Sequence, residues 1–295
     1  MFRVRVEATS ANVSVGFDVL GLALSLYNEF SFDVKDEFSF KGFAKEFSNK
    51  ENNLVYDSYV KVFELLNKKI IPVEIGFKGD IPVSRGLGSS SSLIVGGVFG
   101  ANEVLGKPLS VDECFDICAK IEGHPDNVAP AIYGNLVASY KKNDKFIPVV
   151  YDINNNLKFI VVIPKYQIST HQAREVLPKE LSYSDIINNT SRIVNIPKAF
   201  KDGNVDLLID LFDDKMHEPY RSKLIKEYDY IKNICRENNV AFAISGSGST
   251  MLLISNNLDI LNKIDSKDLD IKVLNVGQGV KILGWLYVRR LLCNS

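Results

Sequence analysis

With 295 residues, 46% of them hydrophobic and 24% charged, the chain has apolar material for a sizeable core and length for one large or two modest domains. Its 35 basic side chains meet 36 acidic ones, so the net charge of −1 lacks the basic excess that nucleic acid or an anionic membrane surface would need. No apolar stretch is long enough for a membrane span, and the first residues lack the apolar core of a signal peptide, so the expected setting is the cytoplasm with no nucleic-acid and no membrane partner.

Phe2, Val4 and Val6 alternate with Arg3, Arg5 and Glu7, the period of a half-buried strand. Thr9-Ser10-Ala11-Asn12 and Gly16-Phe17-Asp18 then interrupt apolar sequence with one amide and one acid, either as turn residues or as contacts to a polar ligand. Phe30-Ser31-Phe32-Asp33-Val34 repeats the strand pattern. Val55, Tyr59, Val62, Phe63 and Leu66 fall on one face of a helix over 54–66, and Val73-Glu74-Ile75-Gly76-Phe77 alternates again.

The segment Pro82-Val83-Ser84-Arg85-Gly86-Leu87-Gly88-Ser89-Ser90-Ser91-Ser92 combines two glycines, four consecutive serines and the start of an apolar helix. Free N–H groups and the positive end of the helix dipole favour an anion there, and serine hydroxyls add donors or metal ligands. The plainer reading is a Gly-Ser linker ending in a serine cap. A Walker loop, a dinucleotide fingerprint and the Gly-x-Ser-x-Gly nucleophile elbow are all absent from this segment.

A helix over 111–121 leads through Gly123 into Glu122-Gly123-His124-Pro125-Asp126-Asn127, and prolines 125 and 130 predict a stiff loop over 124–130. A carboxylate here and a serine hydroxyl from the earlier loop are the hard oxygens that magnesium on a nucleotide takes, although Asp126 and Asn127 also suit a turn. Cys114, Cys118, Cys235 and Cys293 have neither disulfide-framework nor metal-site spacing, and Cys114 and Cys118 share the buried face of that helix.

Polar patches at 141–145 and 154–156 flank a strand over 146–151, which places a boundary near 155 and gives units 1–155 and 156–295. The second unit reads as a strand over 159–163, helices over 185–200, 204–215 and 222–238, and strands over 240–244 and 251–254. Ser245-Gly246-Ser247-Gly248-Ser249-Thr250 lies between the last two, as a turn of small residues or an approach to a ligand. Both units mix helix and sheet, an α+β chain. Arg174 and Arg221 each offer a fork for a carboxylate, though spacing alone does not separate them from solvated arginines. Residues 284–295 mix apolar and basic side chains as a terminal element.

Taken in order, the loop at 82–92, the segment at 122–127 and Ile244-Ser245-Gly246-Ser247-Gly248 resemble the GHMP kinase family. Asn12, Gly16-Phe17-Asp18-Val19-Leu20-Gly21, His124 to Pro130, Ser169-Thr170, Ala173-Arg174-Glu175-Val176-Leu177-Pro178, Glu218-Pro219-Tyr220-Arg221 and Val276-Gly277-Gln278-Gly279-Val280 are similar to the branch that acts on L-homoserine. The resemblance runs over nearly the whole chain. It implies a two-domain GHMP kinase fold, with an N-terminal domain like ribosomal protein S5 domain 2 and a ferredoxin-like C-terminal domain. It implies ATP-dependent, magnesium-dependent phosphorylation of the side-chain hydroxyl of L-homoserine for threonine synthesis and, at family level, a homodimer. On this resemblance residues 82–92 hold the ATP phosphates, Asn53 lies near the adenine, and Ser90 and Glu122 bind magnesium. Asn12, Asp18, His124, Asn127, Thr170, Arg174 and Arg221 line the amino-acid site. Asp18 suits the ammonium, the arginines suit the carboxylate, Asn127 orients the hydroxyl, and Asp126 is the candidate base, with direct transfer left open. Ser91-Ser92 stand where relatives commonly carry two small apolar residues, which leaves open the serine that meets the metal. The alternatives are a mevalonate or sugar acceptor on the same chemistry, or a ligand sensor that no longer turns over.

Overall fold

The computed structural model describes residues 1–284. β1 (Phe2–Ala11) runs antiparallel to β2 (Leu20–Val34), pairing Phe2 with Phe32 and Ala11 with Gly21. A short β3 (Ser39–Lys41), α1 (Leu54–Leu65) and β4 (Val73–Gly79) follow, and β4 pairs with both β2 and β3. Three helices come next: α2 (Ser89–Val104), α3 (Val111–Glu122) and α4 (Val128–Tyr133). The hairpin of β5 (Leu136–Lys142) and β6 (Lys145–Tyr151) completes this half, with β5 against β2. Val4, Val6, Phe30 and Phe32 bury one face of this sheet under Tyr59, Val95 and Phe115 of the helices.

The second sheet begins with β7 (Lys158–Pro164). Six helices follow: α5 (Thr170–Glu175), α6 (Tyr183–Ile193), α7 (Ile196–Asp202), α8 (Val205–Leu211), α9 (Glu218–Arg221) and α10 (Tyr228–Glu237). β8 (Ala241–Ile244), β9 (Met251–Ser255) and β10 (Leu269–Leu274) then give the antiparallel order β10-β7-β9-β8. Numbered within the sheet this is 4-1-3-2, the ferredoxin-like order, with the second crossover helix reduced to a 3-10 turn at Asp259–Asn262. The α+β expectation holds.

The two sheets share one apolar cluster. It takes Leu22 and Leu24 from β2, Phe159 and Val161 from β7 and Leu252 from β9, so the lobes are packed through a common core. A boundary at 155 does not keep the second unit whole. β11 (Lys281–Leu283) returns to pair with β1, Arg3 opposite Leu283, and the buried Glu7 carboxylate accepts the Gln278 and Gly279 N–H groups on the way.

Three local expectations are corrected, and the polar patch at 141–145 takes a definite shape. The stiff loop stops at Asn127, because Pro130 falls in the first turn of α4, where no N–H is needed. The polar patch at 141–145 is a hairpin turn, with Asn143 and Asp144 both left-handed at φ 48 and 59. The helix over 185–200 is two helices, the second restarting at Ile196 with Pro197 in its first turn. The helix over 204–215 stops at Leu211, since Asp214 caps a new turn by accepting the Met216, His217 and Glu218 N–H groups, and the helix over 222–238 begins only at Tyr228, because Ser222–Leu224 is a 3-10 turn that ends on the extended Ile225. Cys114, Cys118 and Cys235 are buried free thiols, while Cys293 and the terminal element from residue 285 onward lie outside the described residues. Among the described residues no helix is long and apolar enough to cross a membrane.

Candidate active site

A cleft of about 420 Å³ runs along the junction of the two lobes. Its middle is the loop before α2. The carbonyls of Ser84, Arg85, Gly86 and Leu87 accept from Ile168 N at 3.1 Å, Thr250 N at 3.2 Å, Ser245 Oγ at 2.6 Å and Thr9 N at 3.2 Å. Four consecutive carbonyls are thus turned into the protein. No backbone N–H from residues 84 to 91 reaches an acceptor among the described residues, which leaves a run of donors ending at the N-terminus of a sixteen-residue helix. That is an anion cradle. Gly86 and Gly88 are left-handed at φ 76 and 69, and a Cβ would stand 2.1 Å from Ser245 O at the first and 2.0 Å from Thr9 Oγ1 at the second.

The loop's side chains divide sharply. Val83, Ser84, Arg85, Gly86, Gly88, Ser89 and Ser90 line the cleft, whereas Pro82, Leu87, Ser91 and Ser92 do not. Leu87 is packed in the shared core, and Ser92 accepts from Asn28 Nδ2 at 2.8 Å while donating to Ser89 O at 2.7 Å. The Arg85 guanidinium is spent on the carbonyls of Val83, Pro164 and Lys165, so it braces the loop and does not face a phosphate. Glu122 accepts from Ser91 Oγ at 2.8 Å on one oxygen and from Ser90 Oγ at 3.1 Å on the other. Ser90 is exposed and Ser91 is buried.

At one end the cleft is apolar, walled by Phe43, Phe47, Phe77 and Leu93. Phe43 and Phe77 stack with centroids 5.1 Å apart. The predicted Asn53 lies here as the buried cap of α1, accepting from Tyr56 N at 3.0 Å and donating to Phe47 O at 2.7 Å. The aromatic wall was not foreseen. Its signal is the spacing of Phe38, Phe40, Phe43 and Phe47 in an otherwise polar run.

Near the loop the His124 ring and Asp126 lie 2.6 Å apart, and this contact holds the imidazole above its ordinary value. Asp126 is buried and therefore already engaged. Asn127, in the cleft wall, accepts from Thr9 Oγ1 at 2.8 Å through its carbonyl, which leaves its Nδ2 without a partner among the described residues.

The far end is charged. Asn12 bridges the lobes, donating to Gly246 O at 2.9 Å and accepting the Asp18 N–H at 3.1 Å. Asp18 receives a two-point contact from Arg174, at 2.8 and 3.1 Å. Arg221 is buried, donates to the carbonyls of Ala173 and Gly246, and has no carboxylate partner among the described residues; burial, reinforced by the Arg174 charge, pushes it down to about 10. Thr170, the first residue of α5, lines the cleft too, as do Gly246 and Ser247. The cleft therefore gathers an apolar end, a backbone anion cradle, a serine-held carboxylate and a zone of opposite charges.

Comparison with known proteins agrees with this arrangement. The descriptions "GHMP kinases N terminal domain" and "GHMP kinases C terminal" match residues 53–135 and 198–267. A homoserine kinase of Clostridium beijerinckii is 44% identical over 91% of this chain and 88% of its own, and one of Clostridium botulinum is 43% identical over 87% of each. The crystal structure of homoserine kinase from Cytophaga hutchinsonii superposes with a TM-score of 0.85 at 28% identity, covering 96% of this chain and 97% of its own. Mevalonate diphosphate decarboxylase of Staphylococcus aureus, at 15% identity and a TM-score of 0.73 over 96% of this chain and 98% of its own, shares the fold. Cleft, fold and relatives converge, and the chain belongs to the homoserine kinases of the GHMP kinase family.

Proposed function

We propose that the protein transfers the γ-phosphoryl group of ATP to the side-chain hydroxyl of L-homoserine, giving O-phospho-L-homoserine. One observation carries the reading: a single cleft joins a run of free backbone N–H groups to an acid and two arginines, which are the complements of phosphates, an ammonium and a carboxylate. The free N–H groups of residues 84–91 would take the phosphates, with the base against Phe43, Phe47 and Phe77 and near Asn53. Ser90 and Glu122 supply two hard oxygens 3.1 Å apart beside that cradle, a donor set that fits magnesium completed by phosphate and water oxygens. Bound there, the ion would neutralise charge on the phosphates.

Asn127 Nδ2 is free to hold the acceptor hydroxyl, because Thr9 fixes the other end of the amide. Thr170, His124 and Asn12 surround the amino-acid end, with Asp18 for the ammonium and Arg174 and Arg221 for the carboxylate. Asp126 is buried against His124, which favours transfer by positioning and charge neutralisation over removal of the proton by this carboxylate. On this reading the enzyme works in threonine biosynthesis.

The test is ADP release from magnesium-ATP with L-homoserine, L-threonine, L-serine, mevalonate and galactose as separate acceptors, with the product weighed by mass spectrometry. Strong preference for homoserine is the expected result. Preference for mevalonate or galactose would refute the amino-acid site, and folded protein with ligand-induced thermal shifts but no ADP would be a sensor.

A further inference from the structure

Asp18 and Arg174 hold each other in a two-point ion pair across the amino-acid end of the cleft, with side chains 35% and 40% exposed. The two partners come from opposite lobes, Asp18 from the turn after β1 and Arg174 from the last turn of α5. Asp18 is fixed in place, left-handed at φ 58 with its N–H on Asn12. Arg221, beside them, has its Nε and Nη1 on carbonyls and its Nη2 on no partner among the described residues. The Phe17 ring lies 5.8 Å from the Arg174 guanidinium and 5.1 Å from that of Arg221. Arg174 therefore keeps an aromatic partner if it leaves Asp18, and Arg221 is a standing invitation to an anion.

Resting on the homoserine reading, we propose that the Asp18–Arg174 pair is an internal substitute for the substrate's own two charges. An acceptor carrying both an ammonium and a carboxylate opens it by exchanging partners, ammonium to Asp18 and carboxylate to Arg174 and Arg221. An acceptor carrying only one of those charges does not open it without loss.

The exchange follows from counting pairs. A zwitterion breaks one ion pair and makes two, so no charge is stranded. A carboxylate without an ammonium must pull Arg174 from Asp18 and leave that acid unpaired in a half-dry cleft, and an amine without a carboxylate strands Arg174 in the same way. Selectivity then comes from the penalty against the wrong ligand as well as from contacts to the right one. Mevalonate and sugars meet the closed pair.

The deciding ligands are 4-hydroxybutanoate, which is homoserine without its ammonium, and 3-aminopropan-1-ol, which lacks the carboxylate. Binding of each is measured by calorimetry to the wild-type protein, to Asp18→Asn, to Arg174→Gln and to Glu175→Gln as a charge-removal control outside the cleft. The expected result is a crossover: Asp18→Asn weakens homoserine yet binds 4-hydroxybutanoate about tenfold more tightly than wild type, a gain of the order of one close charge pair. Arg174→Gln likewise gains for 3-aminopropan-1-ol, and this second arm stands if Asp18→Asn fails to fold. Glu175→Gln gains less than about twofold, since an exposed charge outside the contact is screened. No gain in either arm, or an equal gain with Glu175→Gln, overturns the proposal. Wild-type turnover of homoserine is measured alongside, so that its absence refutes the function and its presence without the crossover refutes the exchange alone.

Discussion

Both Glu122 oxygens are claimed by serines of the same helix turn, yet the two serines do different jobs. Ser91 holds the carboxylate from the buried side, and Ser90 meets it at the cleft surface, which is why Ser90 is the hydroxyl proposed to share the metal. Glu122→Gln keeps the size of the side chain and loses its charge. Its expected outcome is a fall in kcat of about 10²-fold with a raised magnesium requirement and a nearly unchanged melting temperature, read from initial rates across a magnesium titration. Normal turnover at normal magnesium would remove Glu122 from the metal site. Residue types at this site were legible, because a glycine-serine loop and an acid at a helix end are chemically specific. Which serine faced the cleft was not, since that depends on the rotation of α2 against Asn28 and Glu122.

Among the elements, α1 shows how a cap doubles as a wall. Asn53 closes the helix on Tyr56 N and pins Phe47 O with the same amide, and it is buried while doing so. Asn53→Ala removes both bonds. The expected cost is about 1–2 kcal/mol in chemical denaturation, together with a raised KM for ATP as the segment carrying Phe43 and Phe47 loosens. An unchanged ATP KM at reduced stability would detach this segment from the nucleotide. Helices with a full apolar stripe, α1 and α3, were readable to within a residue or two. Segments whose ends are set by distant or polar partners were not: Asp214 ends one helical run and starts α9, and Pro130 reads as a breaker until its place in a first turn is known.

At the scale of the molecule, α9 is tied to the second sheet through a wholly buried acid. Glu218 accepts from Ile244 N at 3.0 Å and from the Tyr228 hydroxyl at 3.4 Å, and burial pushes it up to about 8 from an ordinary value of 4.5. Between those two values the folded protein keeps a proton that the unfolded chain has lost. The free energy of unfolding therefore falls as pH rises through that window, by at most about 1.4 kcal/mol per unit for this one group. Glu218→Gln is expected to flatten that slope, so that urea midpoints of variant and wild type converge towards pH 5 and the variant gains towards pH 8. Parallel midpoints across the window would mean that the acid is charged in the folded state. The two mixed lobes followed from the local patterns. The return of β11 did not, because its partner β1 lies at the other end of the chain and three residues carry no period.

The four carbonyl contacts of the loop before α2 also set an order of events in folding. Thr9, Ile168, Ser245 and Thr250 are spread over most of the chain, and none is a sequence neighbour of the loop. A nascent N-terminal lobe can build its sheet and helices from its own residues and give the Leu87 carbonyl its Thr9 N–H, but the carbonyls of Ser84, Arg85 and Gly86 stay unclaimed until Ile168, Thr250 and Ser245 of the second lobe dock, and the cost of closing such distant contacts falls late. Competence to bind nucleotide is thus acquired at the end of folding, and the nucleotide selects only chains whose two lobes have already met.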